Sequence, residues 1–196
     1  SLHFDDEDRD EFLTETMTSL FKLFAAACFG IVACMPFVFP ILINEKYVAG
    51  YDQILILMYA MLFRVLVGLY SCIYVAQKNA KKIAYTSISA AIINITVNLI
   101  LINKIKIFAA SISTLVAFFS MFIIRYIDVN KTVHMRIRKP IIIGSILIGT
   151  MLIGTYYCEN KMIQLIALCI TAIYAVLTNV DMLKSGMKLV KSCFGK

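Results

Sequence analysis

The run Gln77-Lys78-Asn79-Ala80-Lys81-Lys82, followed by the apolar stretch Ile83 to Ile102, the link Asn103-Lys104-Ile105-Lys106 and a second apolar stretch Ile107 to Ile124, decides the fold. Each apolar stretch is close to the ~20 residues an α-helix needs to cross the hydrocarbon layer, so the segment predicts a transmembrane hairpin entered through a basic pivot. Asn94 and Asn98 lie four residues apart, hence on one helical face, inside a run otherwise suited to lipid.

The rest of the chain has the same character. Of 196 residues, 61% are hydrophobic and only 16% charged, which places the sequence among polytopic membrane proteins. The predicted fold class is all-α: one membrane helical bundle of about six transmembrane helices, at residues 19–43, 51–76, 83–102, 107–124, 140–157 and 162–180. Two flanking segments complete the division. Residues 1–17 hold seven of the twelve acids and read as a solvated cytoplasmic loop or short interfacial helix. Residues 181–196 place Met182, Leu183, Met187, Val190 and Phe194 opposite Lys184, Lys188 and Lys191, the pattern of a basic amphipathic juxtamembrane tail.

The net charge of +7 does not point to nucleic acid, because the basic residues sit between spans, where the positive-inside bias accounts for them. Near the span ends, twelve Lys and Arg fall on the side of the pivot, the loop Arg125 to Lys139 and the tail, against Lys46, Lys104, Lys106 and Lys161 on the other. That imbalance predicts a multi-pass membrane protein with both termini cytoplasmic. An acidic rather than basic segment precedes the first span, so no cleavable signal peptide is expected, and a start at Ser1 reads as a piece of a longer protein.

No catalytic constellation is visible. Cys28, Cys34, Cys72, Cys158, Cys169 and Cys193 have no metal-site or disulfide spacing, His3 and His134 fall in loops, and no serine sits in a nucleophile elbow. Neither an enzyme nor a metal or other cofactor is expected. Arg64 is the residue most suggestive of function, because it lies 13 positions into the second span, roughly 20 Å from either end at ~1.5 Å per residue, too deep to snorkel. It should face a wet cavity or a partner, and its planar fork suits phosphate. Asn94 and Asn98 read as interhelical hydrogen-bond formers. Pro36 and Pro40 should kink or break the far end of the first span and form a candidate hinge. Tyr70, Tyr74 and Tyr85 read as anchors at the cytoplasmic boundary.

The segment Asn94-Ile95-Thr96-Val97-Asn98-Leu99, its tight link and the small-residue run Ala109-Ala110-Ser111-Ile112-Ser113-Thr114 together resemble the hairpin of the bacterial polysaccharide-biosynthesis flippases, of the superfamily that also holds the multidrug and toxin extrusion transporters. The resemblance is clearest from about Tyr47 to Ile127. It implies the C-terminal part of a transporter that flips undecaprenyl-diphosphate-linked oligosaccharide by alternating access, with Arg64, Asn94 and Asn98 as substrate-binding candidates. The implied partners are the lipid-linked oligosaccharide, membrane lipids and the glycan-polymerase machinery. A six-span piece is not expected to transport alone. Two alternatives stand beside it: a drug or metabolite antiporter of the same superfamily, which carboxylates inside the predicted spans would favour and this sequence lacks, and, from a different class, a non-transporting membrane subunit that binds glycan-assembly enzymes.

Overall fold

A computed structural model describes residues 6–134 and 136–194, with side chains for all of these except residues 6, 7, 45–47, 183 and 185–194. Six α-helices follow one another, α1 Asp6–Leu42, α2 Tyr51–Ala76, α3 Ala80–Ile105, α4 Ile107–Val129, α5 Lys139–Tyr156 and α6 Lys161–Phe194, with a 3-10 turn at Glu45–Gly50 before α2. Each contains a stretch long and apolar enough to cross a membrane. No β-strand occurs among the described residues.

The acidic N-terminal segment is not a separate loop. Helix α1 runs unbroken for 37 residues, about 55 Å at ~1.5 Å per residue, so its acidic first turns project beyond any ~30 Å hydrocarbon layer. Nor is that projection idle. Asp10 Oδ2 accepts the His134 backbone N–H at 2.9 Å, Thr14 and Thr18 accept those of Arg136 and Arg138, and Glu15 pairs with Arg138 at 2.9 Å. The loop before α5 is thereby laid along α1, with the N–H groups of His134, Arg136 and Arg138 satisfied by side chains of that helix. Asp5 lies outside the described residues, as do the side chains of Asp6 and Glu7.

At its other end α1 stays helical through Pro36 and Pro40 to Leu42, so of the kink or break expected there the break does not occur. The two prolines are four residues apart, so the N–H missing at Pro40 is the one that would have bonded to Pro36, and the losses fall on one strip of the helix. Helix α6 does depart from helical geometry, at Asn179 (φ −112°, ψ 15°), where the last predicted span gives way to the tail. The tail backbone continues to Phe194; its expected apolar and basic sides fall mainly on side chains outside the described residues.

The hairpin turns are tight. Asn79 caps α3, its side chain accepting from Lys82 N at 3.4 Å. Lys106 alone links α3 to α4, at φ 47° and ψ −117°, a region that favours glycine. Packing is sequential: α3 lies against α4, α4 against α2, α2 against α1, and α1 against α5 and α6. The main core is built where α1, α2 and α5 meet, around Phe21, Phe29, Val32, Leu62, Leu66 and Leu152. Tyr59 crosses this contact to donate to the Gly149 carbonyl at 2.6 Å, and a Cβ at Gly149 would stand 3.1 Å from its hydroxyl, so a side chain there would push the tyrosine back by a few tenths of an ångström.

The bundle therefore has two ends. Tyr51 and Tyr156 stack near the 3-10 turn, centroids 4.4 Å apart, and mark one. The start of α1, the turn between α2 and α3 and the loop after α4 mark the other, here the basic end.

Candidate functional site

Four-residue steps carry the α3–α4 contact. Ala109, Ser113, Ala117, Met121, Arg125 and Val129 are all buried and form one stripe of α4, with small residues at its first three positions letting the backbones approach closely. Facing it on α3, Lys82, Thr86, Ala90 and Asn94 make an antiparallel series. Lys82 Nζ meets Asp128 Oδ2 at 2.7 Å, Thr86 Oγ1 accepts from Arg125 Nε at 3.0 Å, Ala90 packs with Ala117 and Met121, and Ser113 Oγ donates to Asn94 Oδ1 at 3.1 Å. Asn94 is thus hydrogen-bond glue inside the hairpin. Asn98, one turn further along, has a buried Oδ1 with no hydrogen-bond partner among the described residues.

Arg125 is a correction to the sequence-based expectation, which places it in the basic loop and counts it towards orientation. It is a residue of α4, only 2% exposed. Its guanidinium donates to Thr86 Oγ1, to the Val67 carbonyl at 3.0 Å, to Ser71 Oγ and, at 3.3 Å, to Ser87 Oγ, and it stands 5.9 Å from the Tyr74 ring centroid. No carboxylate touches it among the described residues; Asp128 is turned to Lys82 and to the Tyr74 hydroxyl, 2.9 Å away. A buried cation is tolerable when its donors are occupied, and here hydroxyls and carbonyls of α2 and α3 occupy them. Arg125 therefore locks α2, α3 and α4 together. The four-residue stripe was the available signal, because it runs through Ser113, Ala117 and Met121 to Arg125 without a phase change. Tyr70 and Tyr74, expected as interfacial anchors, are each 1% exposed and belong to this packing, whereas Tyr85 is exposed.

Arg64 sits differently. It is exposed midway along α2, on the strip Arg64, Gly68, Cys72 that leads towards the basic end, while the helix is otherwise mostly buried or half-buried. Its guanidinium carbon stands 5.7 Å from the centroid of the Phe118 ring on α4. No hydrogen bond or ion pair joins Arg64 to Asn94 or Asn98 among the described residues, so the three candidates do not form one cluster. The chain matches no family model, no curated protein and no solved structure.

Proposed function

We propose that this chain is a membrane-embedded part of a translocator that moves an anionic lipid-linked oligosaccharide, of the undecaprenyl-diphosphate class, from the cytoplasmic to the outer leaflet of a bacterial inner membrane. The observation that carries the reading is Arg64. A guanidinium at the centre of a spanning helix costs at least ~2.5 kcal/mol against lipid, and this one is exposed on its helix with an aromatic face beside it and, among the described residues, no carboxylate paired with it. Such a site is tolerable where the exposed face meets water or an anion. A diphosphate fits the planar fork bidentately, and Gly68 and Cys72 continue the exposed strip of α2 towards the basic end. On this reading Arg125, its donors already occupied, takes no part in substrate binding. Removing it from the charge count leaves the basic end strongly favoured as the cytoplasmic one, with both termini on that side.

The test uses the intact transporter in cells that depend on it for glycan export. Arg64→Ala should leave lipid-linked glycan on the cytoplasmic leaflet at unchanged protein abundance, and Arg64→Lys should do so in part. Normal export by the alanine variant would refute the reading.

A further inference from the structure

At the basic end, the first turns of α3 and the last turns of α4 line an open cleft of about 550 Å³, to which Tyr74 of α2 also contributes. Its rim carries the ammonium groups of Lys81, Lys82 and Lys131 against a single carboxylate, Asp128. That carboxylate is already engaged, since Oδ2 accepts both Lys82 Nζ at 2.7 Å and the Tyr74 hydroxyl at 2.9 Å. Lys81 and Lys131 are exposed, and neither forms an ion pair among the described residues. Below the rim the wall turns apolar: Tyr85, Ile124 and Ile127 are 72%, 37% and 55% exposed. The lysines also stand at the wrong end of a helix. Lys81 and Lys82 occupy the first turn of α3, which contains no acid, so the helix dipole and the side chains there have the same sign and both call for an anion.

A positive rim directly above an exposed apolar wall, between two helices that would enter a membrane here, is complementary to one kind of molecule. We infer that this cleft binds an anionic glycerophospholipid of the leaflet at the basic end, its phosphate between Lys81 and Lys131 and an acyl chain lying along Tyr85, Ile124 and Ile127. Lys82, held by Asp128, orients the rim and completes its charge. The inference requires only that the helices span a membrane, and not that the protein translocates a glycan. Its site is separate from Arg64, so either reading can fail without the other.

Native mass spectrometry of the full chain, released from nanodiscs containing equal parts phosphatidylglycerol and phosphatidylcholine, reads the lipids that remain bound. The unaltered chain should retain phosphatidylglycerol in preference to phosphatidylcholine. Lys81→Gln with Lys131→Gln should lower that retention by roughly thirtyfold, the effect of about two cationic contacts. Ile127→Trp, which fills the cleft while leaving every charge in place, should lower it as well. The control Arg136→Gln with Lys139→Gln removes the same charge from the same end, outside the cleft, and should leave retention unchanged. Undiminished phosphatidylglycerol in the double lysine variant or in Ile127→Trp would overturn the inference, and so would equal losses in the cleft and control doubles, which mean diffuse surface attraction.

Discussion

Two arginines in this bundle meet the same problem, a permanent charge within an apolar helix, in opposite ways. Arg125 turns inward from α4 and directs its donors to hydroxyls and carbonyls of α2 and α3. Arg64 stays on the exposed strip of α2 against one aromatic ring. The difference shows why depth alone does not identify a functional charge. A buried arginine whose donors are occupied is a structural element, and the exposed one at mid-helix is the candidate for contact with an anion. Measurements that break the symmetry between the two should follow that division.

The largest effect is expected at the inward residue. Arg125→Ala leaves a void and strips partners from three helices, so it should cost about 3 kcal/mol or more in unfolding from detergent, whereas Arg64→Ala should stay within ~0.5 kcal/mol. Comparable losses for the two would erase the distinction. A smaller effect is expected at the small-residue stripe that brings Arg125 to its partners. Ala109 is fully buried between α3 and α4, and Ala109→Leu should destabilise by about 1–3 kcal/mol, read by the same unfolding assay. Smaller again is the polar rung: Asn94→Leu should cost about 0.6 kcal/mol, near the mean for hydrogen bonds between membrane helices. If Asn94→Leu instead abolishes glycan export while the fold is kept, the asparagine touches substrate as well as Ser113.

Much of this architecture was legible in the sequence because apolar run length is a local property. The bounds of α2 coincide with the second predicted span, and the hairpin appears where two runs of about 20 residues flank a polar link. Asn94 was readable as glue, since an amide in an apolar helix needs a hydrogen-bond partner and the small-residue run in the next helix holds one in Ser113, whereas the same reasoning at Asn98 meets no partner among the described residues. Arg125 is easily misplaced because a charge conventionally closes an apolar run, while the carbonyl of Val67 and the hydroxyls of Ser71, Thr86 and Ser87 that make it tolerable are distant in sequence. The acids of α1 are obscure for the same reason, since nothing local to Asp10 or Glu15 reveals the loop at His134 and Arg138 that they hold. For Arg64 the depth was legible and the direction was not: helical phase says which residues share a face, but only packing says which face stays open.

The claim that Arg64 looks onto a polar path is tested most directly by accessibility. In a chain whose six native cysteines are replaced, Arg64→Cys can be compared with Ile92→Cys, a position at matching depth on the exposed apolar face of α3. With a small membrane-impermeant thiol reagent and the intact protein in sealed vesicles, the cysteine at 64 should be modified at a rate approaching that of a loop cysteine, while the one at 92 stays unmodified. Equal protection of both positions would place residue 64 against lipid or packed protein and contradict the account.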